Sequence, residues 1–140
     1  MNLDPMYTLI KKYEGLSLKP YICPAGVPTI GYGHTGKGIT MSSAPITKAK
    51  AEELLEQDVQ KFIGEVLRLS PHLNGTRLCA IADFCYNLGT TRYKASTLKK
   101  RIDIEDWEGA KEELVKWVWG GGRKLPGLIL RRNEEALLLK

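Results

Sequence analysis

The sequence predicts an α+β protein, with a small β-hairpin lobe and a larger helical lobe joined by a long helix. Three features point to it. Apolar residues recur at helical spacing over several stretches, and β-branched and aromatic residues cluster among glycines and prolines between Ser17 and Thr35. No repeat or low-complexity linker divides the chain. A chain of 140 residues and 15.7 kDa is long enough to bury roughly 68% of its unfolded surface. We therefore expect one domain over 1–140, with about 12–46 as the β-containing lobe and about 47–140 plus the N-terminal helix as the helical lobe.

Asp4-Pro5 starts the first helix, because an aspartate caps free amides and proline at the first helical position loses no hydrogen bond. Met6, Leu9, Ile10 and Tyr13 follow on one face, and Gly15 stops the helix, so Glu14 is its last residue. From Ser17 to Thr35, Thr29, Ile30 and Tyr32 give strand character and Cys23-Pro24-Ala25-Gly26 supplies a turn. Leu54, Leu55, Val59, Phe62, Ile63, Val66 and Leu67 trace a face of a long helix starting at Thr47. A second, central helix runs from near Asn74 to Gly89, with Leu78, Ile81, Ala82, Cys85 and Leu88 inward. Further helices are expected over Ala95 to Arg101, Ile104 to Trp119 with Asp103 as cap, and Pro126 to Leu139. Gly120 to Gly122 separates the last two. Trp107, Trp117 and Trp119 read as core packing, and Arg131 as a surface partner of Glu135 four residues on.

With 43% hydrophobic and 26% charged residues, the composition excludes disordered, collagen-like and disulfide-framework classes. Neither a membrane span nor a signal peptide is expected, because charges interrupt every apolar run. Cys23, Cys79 and Cys85 are an odd set that reads as thiols, and no zinc spacing accompanies His34 and His72. Most of the net charge of +5 lies beyond residue 70, concentrated at Arg92, Lys94, Lys99, Lys100 and Arg101. A basic face favours polyanions, but no nucleic-acid-binding signature stands beside it.

A glutamate at the carboxyl end of a helix faces the negative end of the peptide dipoles, and nearby apolar groups oppose its ionisation as well. Both push its pKa upward, which suits a general acid that protonates a leaving sugar oxygen. Around Glu14 stand Glu14-Gly15-Leu16, Lys19-Pro20-Tyr21, Gly26 and Thr29-Ile30-Gly31-Tyr32-Gly33-His34-Thr35. With Asn87-Leu88-Gly89, Ser96-Thr97-Leu98, Gly121-Gly122, Leu125-Pro126-Gly127-Leu128 and Arg131-Arg132, the ordered set resembles the phage-type lysozymes, glycoside hydrolase family 24, over nearly the whole chain.

The resemblance implies a lysozyme-like fold and a phage or prophage endolysin that acts as a muramidase. Such an enzyme hydrolyses the β-1,4 bond between N-acetylmuramic acid and N-acetylglucosamine in peptidoglycan. Glu14 matches the family's acid and Thr29 the threonine that holds the water or attacking group. Cys23 stands where the family usually has an aspartate, and the sequence has no Asp or Glu between Glu14 and Glu52. A thiolate is an anion and a strong nucleophile. Cys23 therefore has three open roles: nucleophile at the anomeric carbon, base for a water held by Thr29, or bystander.

Tyr32, His34, Tyr86, Asn87 and Ser96 are the candidate substrate contacts. For His34 the residues themselves favour holding the hairpin, and for Asn87 helix capping competes. Arg131 or Arg132 is a candidate to hold the Glu14 carboxyl group. The resemblance further implies a monomer in the host cytoplasm that reaches the wall once a separate holin permeabilises the membrane. It implies no metal or organic cofactor, no nucleic-acid partner and no stable membrane insertion. Two alternatives stay open: a lytic transglycosylase giving a 1,6-anhydro product, and a catalytically silent peptidoglycan-binding domain.

Overall fold

The computed structural model describes residues 1–140. The first helix, α1 (Asp4–Glu14), buries Met6, Leu9 and Ile10, the stripe expected from their spacing. After Gly15 the chain forms an antiparallel hairpin of β1 (Ser17–Ile22) and β2 (Pro28–Gly31), pairing Ser17 with Gly31 and Tyr21 with Thr29. A bulge between Ser17 and Tyr21 lets the ribbon accommodate Pro20, which has no N–H to give to a ladder. An isolated bridge between Ile30 and His34 extends the hairpin.

The long helix α2 (Lys48–Leu69) begins where Thr47 Oγ1 accepts the Lys50 N–H at 3.1 Å, so threonine caps it. It buries Ala51, Leu55, Val59, Ile63 and Val66 along one line. Helix α3 (Gly75–Leu88) is buried on every side from Leu78 to Cys85, the mark of a central helix. Its cysteines are inert thiols: burial raises Cys79 above its ordinary value and pushes Cys85 up to about 12. All three cysteines are free.

Beyond Gly89 the elements differ in part from those the sequence suggests. A short helix not expected from the sequence, α4 (Thr90–Lys94), comes first. The helix expected over Ala95 to Arg101 is α5 (Thr97–Asp103), two residues further on because the Ser96 hydroxyl caps it. The expected helix from Ile104 to Trp119 is only α6 (Trp107–Leu114), and its cap is Asp106 rather than Asp103. Glu105 adopts a left-handed φ of 57°, which ends helical continuity there. Asp103 belongs to α5 and accepts from Ser70 Oγ at 2.9 Å. The glycine run is the turn of a second hairpin, β3 (Trp119–Gly120) with β4 (Arg123–Lys124), before α7 (Pro126–Leu138).

The tryptophans are not a core cluster. Trp117 packs edge-on against Phe84 with centroids 5.5 Å apart. Trp107 stacks under the Arg77 guanidinium, 3.8 Å from its centroid. Trp119 is 59% exposed.

The chain forms two compact units, one of residues 10–61 and one of residues 1–9 with 62–140. The first holds the end of α1, the main hairpin and the first part of α2 around Ile30, Tyr32, Ala51, Leu55 and Val59. The second packs α3 to α7 around Leu78, Ile81, Phe84, Tyr93, Leu98, Ile102 and Leu114.

Candidate functional site

Glu14 closes α1, and Gly15 follows it at a φ of 68°, donating its N–H to the Lys11 carbonyl at 3.2 Å. The carboxyl group lies directly against the backbone of Gly33. A Cβ at Gly33 would sit 2.7 Å from Glu14 Oε1 and 3.1 Å from its Cδ, and the φ of +81° there also favours glycine. A residue with a side chain there would displace the Glu14 carboxyl group and strain the backbone.

Across the same unit, the turn between β1 and β2 shapes the surroundings of Cys23. The Cys23 N–H bonds to the Val27 carbonyl at 3.1 Å and the Gly26 N–H to the Cys23 carbonyl at 2.8 Å. Burial pushes the Cys23 thiol up, but hydrogen bonds to its sulfur from the Val27 backbone, the Thr29 hydroxyl and the Ala25 backbone outweigh that. Its pKa therefore lies below the ordinary thiol value, although the negative charge of Glu14 opposes the shift. The Thr29 hydroxyl has a single proton. Donated to the Val27 carbonyl at 2.8 Å, it leaves the oxygen lone pairs to accept from a water; turned to the sulfur, it stabilises the thiolate.

Tyr21 stands beside both groups: burial raises its phenol above the ordinary value, and the charges of Glu14 and Cys23 add to that. Glu14, Tyr21, Cys23, Thr29 and Gly33 thus form one neighbourhood in the hairpin unit, assembled from a helix end, a turn and a strand.

The other candidates in this unit have identifiable structural partners. Tyr32 is 7% exposed and donates its hydroxyl to Glu52 Oε1 at 3.0 Å. Glu52 also pairs with Lys11 Nζ at 3.0 Å. His34 Nδ1 lies 2.7 Å from Asp58 Oδ2, which ties the hairpin to α2, while its backbone exchanges hydrogen bonds with Ile30.

In the helical unit, Tyr86 packs against Phe62 with ring centroids 5.4 Å apart. Asn87 Oδ1 accepts from Arg132 Nη2 at 2.7 Å. The Ser96 hydroxyl donates to the Tyr93 carbonyl at 2.7 Å and accepts the Lys99 N–H at 3.0 Å, so capping uses it in both directions.

Arg131 does not pair with Glu135 on the surface. It grips Asp83 through Nε and Nη2 at 2.9 and 2.8 Å, with both side chains buried. Glu135 pairs instead with Arg132, three residues before it, also in the interior. Burial pushes Asp83 up, but hydrogen bonds from Glu135 and Arg131 hold it below the ordinary carboxylate range. Glu135 is raised by burial and then by the neighbouring Asp83, with the charges of Arg132 and Arg131 opposing the shift. A lone acid inside the apolar run of α3 was the signal for this pair, since a buried carboxylate needs a cation.

A family model for phage lysozyme matches residues 11–135. An endolysin of Acyrthosiphon pisum secondary endosymbiont phage 1 is 38% identical over 137 residues, covering 94% of this chain and 92% of that protein. Two solved structures superpose with TM-scores of 0.83. One is an endolysin from Escherichia coli O157:H7 phage FAHEc1, 33% identical, spanning 99% of this chain and 93% of that chain. The other is the muramidase domain of SpmX from Asticaccaulis excentricus, 29% identical, spanning 96% and 93%. Sequence and fold agree along almost the whole length, and the chain belongs to the phage lysozyme family.

Proposed function

We propose that this endolysin cleaves peptidoglycan as a muramidase, with Glu14 as general acid and the Cys23–Thr29 pair as the group opposite it. Peptidoglycan as the substrate follows from the endolysin relatives, and the muramidase name of the SpmX neighbour supports the bond. The observation that carries the assignment is the neighbourhood itself: a helix-terminal carboxyl group seated on Gly33, beside a turn whose N–H groups face the Cys23 sulfur.

In this reading Glu14 gives its proton to the oxygen joining N-acetylmuramic acid to N-acetylglucosamine, and the bond from that oxygen to the anomeric carbon breaks. Positive charge developing on the sugar ring is met from the hairpin turn. The Cys23 thiolate either takes a proton from a water that donates to Thr29 Oγ1, or attacks the anomeric carbon itself. The other acids of the hairpin unit support a thiol in this role, because Glu52 is engaged by Lys11 and Tyr32, Glu53 by Lys50 and Asp58 by His34, while Glu56 is exposed to solvent.

Mass spectrometry of digested peptidoglycan tests the reaction. Hydrolysis leaves a reducing end and adds one water per cut, whereas a 1,6-anhydro product lacking that water replaces the reading with a lytic transglycosylase. That second reading draws on the same engaged carboxylates, since it needs a single acid. Wall binding without any cleavage points to a silent binding domain.

Cys23→Ser decides the thiol's role. If the thiolate acts, the substitution lowers kcat/KM by about a hundredfold or more. It also removes an activity that otherwise rises with pH as the thiol ionises, below the pH range of an ordinary cysteine. Near-full activity in Cys23→Ser makes Cys23 a bystander, and a glycosyl mass trapped on Cys23 identifies the covalent route. We further propose a monomer held in the host cytoplasm until a holin opens the membrane.

A further inference from the structure

We propose that the solvent face of α7 and the adjoining β3–β4 hairpin form a docking surface for an anionic phospholipid bilayer. Helix α7 is held by its inner face, where Arg131, Arg132 and Glu135 are buried. Its outer face is apolar: Ile129, Leu130 and Leu137 are 36%, 58% and 64% exposed, and exposed Pro126 continues the same stripe. Asn133 interrupts it, and the partly exposed Glu134 flanks it between Leu130 and Leu137. These residues share one side of the helix, over about 16 Å at the helical rise.

The hairpin adds the other half of an interfacial site. Trp119 is 59% exposed and carries the Lys124 ammonium 5.6 Å from its ring centroid. Arg123 and Lys124 are both exposed on β4, and Leu125 then leads directly into α7. From Leu114 to Asn133 the sequence has basic residues and no acid. An exposed indole, two cations and an aliphatic helical stripe match the chemistry of a headgroup region above acyl chains.

The charge selects the occupant. A second copy would bring two basic hairpins together, and an aliphatic stripe offers sugars neither stacking nor hydrogen bonds. No helix is long and apolar enough to cross a membrane, so the surface lies on the bilayer rather than through it.

Sedimentation of the intact protein with phosphatidylglycerol vesicles, against phosphatidylcholine vesicles, is the test. We expect binding to the anionic vesicles, weakened by salt, with a blue shift of tryptophan emission that Trp119→Phe removes. The pair Leu130→Ser/Leu137→Ser and the pair Arg123→Glu/Lys124→Glu should each weaken binding by about tenfold or more. Both pairs should melt like the parent and cleave membrane-free peptidoglycan at the parent rate, so the vesicle readout stands apart from the wall-cleaving reaction. The proposal is overturned if anionic vesicles are not bound, if well-folded variants bind as tightly as the parent, or if the stripe instead drives self-association.

Discussion

Replacing Glu14 by Gln is expected to lower kcat on peptidoglycan by about a hundred- to ten-thousand-fold, the usual worth of a positioned general acid. The amide keeps the size of the carboxyl group and fits the same seat on Gly33, so thermal stability and binding to intact wall should stay near those of the parent. A loss confined to kcat identifies a proton that is donated, not a side chain that merely holds substrate. The seat can be tested from its other side. In Gly33→Ala the new methyl group would approach Glu14 Oε1 to 2.7 Å, so the carboxyl group must move. Activity should then fall although Glu14 is still present, with a stability cost of about 1–2 kcal/mol from the left-handed backbone. Turbidity assays on wall suspensions beside thermal melts check both, and full activity in Glu14→Gln would remove it as the acid.

Arg131→Met should produce the largest loss of stability, about 3–5 kcal/mol. The change leaves Asp83, fully buried in α3, as a carboxylate without its bidentate partner. For a chain of this size that is a fall in Tm of about 10–20 °C. Adding Asp83→Leu to Arg131→Met should recover most of it, because an apolar pair needs no compensation for desolvation. A thermal melt of the single and double variants decides the matter. If the single variant melts within a few degrees of the parent, the pair contributes little.

How much of this was legible beforehand depended on the range of the interactions. Asp4-Pro5, Gly15 and the Cys23 to Gly26 turn are local signals, and the elements they bound appear within a residue or two of expectation. Between Ile104 and Trp119 apolar residues keep helical spacing although only Trp107–Leu114 is helical. The limits of that helix come from the left-handed backbone at Glu105, the Asp106 cap and the hairpin that pairs Trp119 with Lys124. Tyr32 reads as a sugar contact because aromatic rings pack on sugar faces, and His34 as a residue that holds the hairpin. Their partners Glu52 and Asp58 lie some 20 to 24 residues on, a separation no local pattern reveals.

By itself the sequence determined the fold class, the helix ending in Glu14 and the family, because capping, periodicity and an ordered set of motifs are properties of neighbouring residues. Only the tertiary structure decided that Gly33 seats the Glu14 carboxyl group, that N–H groups of the turn face Cys23, and that Arg131 belongs to Asp83. Each of these depends on residues brought together by folding. A carboxyl group or a thiol takes its chemistry from the charges, donors and burial around it, and those surroundings exist only once the chain has closed on itself.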